Sequence, residues 1–259
     1  MAEFKIPIFE TGTVLTQEML ETMKMYAIDL GTLSHQGYSD GIISGCEVTM
    51  SGDYIYLSRG IIMYSGNLIF LPEEMHVAFS HGNEWQVLQI KVGDMKRDKN
   101  FMTGELELEL TSELERDSKG IEVCRFRLQN GAILRNEYRD FRDLNTEFDT
   151  VNEIYAQWSG YKEQSISGRV LAEFVKEARK KNLQNQHDIA FIQQVLNLDG
   201  KTMNREAILF YISNRMNKPY KELSNMEMYK DLSEILRMGS NALGGNSMNQ
   251  RMDRRIIID

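Results

Sequence analysis

Gly41 to Leu71 reads GIISGCEVTMSGDYIYLSRGIIMYSGNLIFL, a run of short apolar stretches broken by Ser51-Gly52-Asp53, Gly60 and Ser65-Gly66-Asn67. Gly and Asn accept the positive φ that tight hairpin turns need, and the β-branched and aromatic residues between them suit a pleated, half-buried surface. The spacing predicts consecutive antiparallel hairpins. Strand patterning continues to about residue 140. Residues 84–92 (EWQVLQIKV) read as one strand, and Glu105-Leu106-Glu107-Leu108-Glu109-Leu110 alternates strictly. Cys124, Phe126 and Leu128 alternate with Val123, Arg125 and Arg127. Pairing these last two segments is expected to set Glu107 and Glu109 opposite Arg125 and Arg127 on a wet face.

Working towards the N-terminus, residues 1–14 read as extended around Pro7, and the period then changes. Met19, Met23, Tyr26, Ala27 and Leu30 recur at three and four residues, which predicts a helix of about four turns stopped near Gly31. Working towards the C-terminus, Leu144, Phe148, Val151, Tyr155 and Trp158 fall at spacings of four, three, four and three. That is a heptad seam two repeats long, and it predicts a linking helix over 141–160 whose aromatic face is a candidate inter-subunit contact. Helical patterning follows. One helix carries Ile166, Val170 and Phe174, and a second carries Ile189, Ile192 and Val195. A third is capped by Asn204 and halted by Pro219. A fourth starts with the capping box Ser224/Glu227 and ends at Gly239. The expected organisation is α+β: an N-terminal helix and antiparallel β module (1–140), the linking helix, a helical module (161–238) and an extended tail (239–259). In that tail Ile256, Ile257 and Ile258 read as an anchor able to add a strand to a partner's sheet edge.

The ISGxxV strand at Ile43–Val48, the Ser51-Gly52-Asp53 turn and the GxxxxxGNLI hairpin at Gly60–Ile69, just after a short helix, resemble small β modules of bacteriophage tail and baseplate proteins and of related contractile injection machines. The resemblance covers roughly the first 75 residues. It implies a structural subunit at the baseplate or at a receptor-binding fibre attachment, assembled in the bacterial cytoplasm and carried in the virion or tail-like particle. Its implied partners are other tail or baseplate subunits and a receptor-binding fibre, in a homo- or hetero-oligomer.

Composition sets bounds of its own. The chain has 259 residues, 42% hydrophobic, enough for two cores. Its formal charge of −8 argues against broad nucleic-acid binding, which needs concentrated positive surface. The basic cluster Arg169, Lys176, Arg179, Lys180 and Lys181 lies at the end of an expected helix, where the helix dipole already favours cations. Two cysteines, Cys46 and Cys124, are too few for a disulfide framework and read as buried thiols. No apolar run reaches the ~20 residues of a membrane span, and the opening MAEFKIPIFETG lacks the pattern of a secretory signal.

The search for chemistry returns little. Phosphate-loop, dinucleotide and HExxH motifs are absent from the sequence. His76 and His81 flank one expected turn, and such a pair is commoner as exposed imidazoles than as a metal site. Glu73/Glu74 and Glu113/Glu115 are the carboxylate pairs a wall hydrolase would need, yet nothing in their context sets them apart from other surface acids. The expectation is a protein without catalytic residues, metal or cofactor. The alternatives are a carbohydrate-binding or adhesin module, using Tyr54, Tyr56, Tyr64 and Trp85 as stacking platforms, and, third, a cell-wall hydrolase.

Overall fold

The computed structural model describes residues 4–198 and 201–245. The fold is α+β: an N-terminal helix, antiparallel sheets and a set of C-terminal helices. Helix α1 (Gln17–Ser34) is capped by the Thr16 hydroxyl, which accepts from the Met19 amide.

The hairpin block forms as its turns dictate. Strands β1 (Gly41–Gly45), β4 (Gly60–Tyr64) and β5 (Asn67–Leu71) make one sheet, in the order β1-β4-β5. Strands β2 (Val48–Ser51), β3 (Tyr54–Leu57) and β6 (Met75–Ala78) make a second, in the order β2-β3-β6. Ser65 and Gly66, at φ 49° and 75°, connect β4 to β5 with the two positive values a tight primed turn requires. At Gly45-Cys46 the chain leaves one sheet for the other. Both residues have positive φ, and a Cβ on Gly45 would lie 2.2 Å from the Arg59 carbonyl oxygen, so only glycine fits this corner.

The third sheet has β7 (Gly82–Val92) at its centre, between β10 (Leu106–Ser112) and β11 (Ile121–Leu128). A small two-stranded ribbon, β8 (Lys96–Arg97) with β9 (Met102–Thr103), extends from it. The three larger sheets share one core that includes Ile42, Ile55, Ile62, Leu88, Ile90 and Phe126.

This order corrects the expected charge ladder. β7 separates β10 from β11, so Glu107 stands opposite Lys91 and Glu109 opposite Gln89, with Glu109 forming its ion pair to Lys91. Arg125 is buried, where its guanidinium holds the buried Glu122 carboxylate through Nε at 2.7 Å and Nη2 at 2.9 Å. Tertiary pairing decided the neighbours, and a central eleven-residue strand won over the sequence-adjacent alternative.

Helices α2 (Gly168–Lys180), α3 (Gln186–Leu196), α4 (Arg205–Met216) and α5 (Asn225–Gly245) pack around a second core. Phe174 meets Phe141 and Phe191 edge-on, and Phe191 stacks on Tyr211 at 3.9 Å between centroids. Asn204 and Ser224 cap as expected. The Asn204 side chain accepts from the Glu206 amide, and Ser224 and Glu227 exchange backbone-to-side-chain bonds. Three expected ends move. α1 runs through Gly31 to Ser34. α2 starts at Gly168 rather than near residue 161, under the Ser167 cap. α5 runs through Gly239 to Gly245, because that glycine serves packing rather than termination: a Cβ there would lie 1.9 Å from a Leu183 methyl carbon. Residues 246–259, including Ile256, Ile257 and Ile258, lie outside the described residues.

The expected linking helix over 141–160 does not form. Phe141–Asn145 is a 3-10 turn capped by Asp140, and the chain then runs extended. Its backbone groups bond to the sheets instead: Asn152 exchanges both bonds with Arg125, Gln157 N–H donates to the Glu122 carbonyl, and Ser159 N–H to that of Ile42. Asp149 at φ 67° is incompatible with a continuous helix.

Candidate assembly surface

The residues of the expected seam are divided by this strap. Leu144 lies in the helical core and Tyr155 packs against it, while Val151 lies in the β core with Trp158 against it. Phe148 sits under the Arg127 guanidinium, 4.8 Å from its ring centre. The five share no face, so their spacing reflects burial inside the chain and not a helical stripe.

The uncovered apolar surface lies elsewhere. Lys5 pairs with Glu18 and tethers the arm before α1 to the helix. Along the arm Phe4, Ile6, Ile8, Val14 and Leu15 are 83, 66, 71, 80 and 57% exposed. On α1, Leu20, Met23, Met25, Ile28, Leu30 and Leu33 are all exposed, and no residue of the helix is buried. Its observed contact with the globular part is with β5, where Gly31 approaches Leu68. Neither core contains an α1 residue. Monomers rarely leave an apolar patch beyond ~600 Å² uncovered, and one that large marks an association site. Sequence reasoning had the signal, a helical apolar period with no second helix for more than a hundred residues, and read it only as secondary structure.

A second feature is a cleft of about 510 Å³ where β1 and β2 meet α2. Glu153 lines it, buried, and Arg169 Nη1 donates to its carboxylate at 2.7 Å. Burial raises the Glu153 pKa and the Arg169 pair opposes that rise. Arg169 also donates from Nη2 to the Asn136 carbonyl, so one side chain binds the β module to the first turn of α2. Cys46 opens onto the same cleft. Burial pushes its thiol to about 12, so at neutral pH it is protonated and a poor nucleophile. Cys124 is buried as well, and both cysteines are free.

The remaining candidates disperse. His76 packs against the Tyr54 and Tyr56 rings, while His81 is hydrogen-bonded to the Ala132 carbonyl. Among the described residues no group of His, Cys, Asp and Glu is arranged to hold a metal ion. Tyr54 and Tyr56 share β3, but Tyr64 and Trp85 lie on the other two large sheets. In the basic cluster Lys176 pairs with Glu173, and Lys180 and Lys181 with Glu177. Among the described residues, no helix is long and apolar enough to cross a membrane.

No protein-family profile matches the sequence, and no curated protein matches it. The solved structures that align with this chain include three of a secretion-system protein or complex. A crystal structure of TssK aligns over 92% of this chain and 72% of that one, at 12% identity and a TM-score of 0.42. A chain of the type VI secretion system TssK-TssF-TssG baseplate subcomplex, seen by cryo-electron microscopy, aligns over 93% of this chain and all of that one, at 10% identity and a TM-score of 0.35. A chain of the baseplate complex from the type VI secretion system aligns over 90% of this chain and all of that one, at 9% identity and a TM-score of 0.37.

Proposed function

We propose that this chain is a structural subunit of a contractile injection particle or phage-type tail, built into the baseplate or the point of fibre attachment. It acts by assembly with neighbouring subunits and without catalytic turnover. The observation that carries the reading is the N-terminal arm and α1, whose apolar side chains stand uncovered beside a body that already has two complete cores. Such a surface is an association element waiting for its neighbours. The sequence resemblance of roughly the first 75 residues to tail and baseplate β modules supplies the kind of particle.

The test is location. Particles sedimented from producing cells should contain the wild-type chain at a fixed ratio to the sheath or tube protein, and gold-labelled antibody should mark one end of the particle. A chain found only in the soluble fraction, with particles complete without it, would overturn the reading.

A further inference from the structure

We propose that α1 binds α1 of further copies of this chain, forming a short coiled coil at the centre of a homo-oligomer. The idea rests on the assembly reading for the purpose of the surface, and it adds the identity of the partner.

Met19, Met23, Tyr26, Leu30 and Leu33 follow one another at four, three, four and three residues, the a/d spacing of a coiled-coil seam. Unlike the dissolved seam of residues 144–158, this one lies on an actual helix, Gln17–Ser34. Met19 is partly covered, and Met23, Tyr26, Leu30 and Leu33 are 46, 40, 65 and 66% exposed.

Three properties single out a copy of the same helix as the occupant. First, Leu20, Met23, Tyr26, Leu30 and Leu33, on the seam or beside it, are 52, 46, 40, 65 and 66% exposed, an apolar strip along the helix that a second helix of the same length would cover. Secondly, the positions beside the seam are Leu20, Thr22, Ala27, Asp29 and Ser34. A single charge among them means that identical helices meet without a ladder of like charges. Thirdly, Glu18, Glu21 and Lys24, the other charged residues around the seam, fall on the side away from it beside the exposed Met25 and Ile28, where the charges stay in water when the helices close.

The full-length chain tests this. Light scattering during gel filtration at about 20 μM should give a whole-number multiple of the chain mass, and Met23→Glu with Leu30→Glu should give the monomer. Because neither core includes α1, the double variant is expected to keep the wild-type circular dichroism spectrum. In a second measurement, Tyr26→Cys, at the middle of the seam, faces its own copy whichever way the helices run, and the two native thiols are buried. Mild oxidation should link most Tyr26→Cys chains into disulfide pairs and leave Lys24→Cys unlinked.

A monomeric wild type overturns the proposal, as does an oligomer that survives the double glutamate variant or equal linking of the two cysteine variants. A monomeric chain that still enters particles would show that another subunit covers α1, which defeats this inference and leaves the assembly reading standing. An oligomer of the expected kind that never enters particles would do the reverse.

Discussion

The guanidinium of Arg125 lies over the Tyr155 ring at 3.8 Å and bonds to Glu122 and Glu113, while Arg116 binds Glu122 from the other side. Glu122 is 1% exposed, so these cations stand in for the water that its carboxylate has lost. Removing one partner of a buried pair leaves the other charged and desolvated, a far larger loss than the net value of the pair. Arg125→Ala is therefore expected to cost about 3 to 5 kcal/mol of unfolding free energy in urea. Arg125→Ala combined with Glu122→Gln should recover a substantial part of it. A loss below about 1 kcal/mol for the single variant would mean that water already reaches Glu122.

Among the elements, the strap of residues 146–165 departs furthest from its sequence pattern, and its protection is measurable. Its amides are bonded to β1 and β11, and Val151, Ile154 and Ala156 are buried, whereas Phe101 beside the β8-β9 ribbon is 68% exposed. Chymotrypsin is accordingly expected to cut at Phe101 and within the N-terminal arm before it cuts at Phe148, Tyr155 or Trp158. Mass spectrometry of early digests reads the order directly. Early cleavage inside the strap, releasing a β-rich and a helical fragment, would show that residues 146–165 open as a flexible linker. Helix α1 presents the opposite case: its helix formed under the Thr16 cap and ran past Gly31 to Ser34, and among the described residues its apolar face joins neither core.

At the scale of the whole molecule polar contacts join the two cores, among them Glu153 with Arg169 and the Tyr138 hydroxyl with the Val151 carbonyl. Arg169→Ala should destabilise the chain by about 2 to 3 kcal/mol, below the fully buried figure because the Arg169 side chain remains 38% exposed. Hydrogen exchange should show protection falling first in β1 and the first turn of α2. Unchanged protection there would shift the coupling to the backbone bonds of the strap.

The sequence by itself determined the α+β class, the hairpin turns and the helix caps. Ser65-Gly66, Asn204 and the Ser224/Glu227 box act through bonds and dihedrals within a few residues, so local chemistry is sufficient to specify them. Tertiary structure decided that β7 separates β10 from β11, that Arg125 is buried, that Gly239 admits Leu183 inside α5, and that residues 146–165 run as a strap. Each of these is set by which distant backbone or side chain satisfies a donor or fills a space. A spacing of three and four records only where apolar side chains recur, and the fold alone decides whether a core covers them, as in residues 144–158, or leaves them exposed, as in α1.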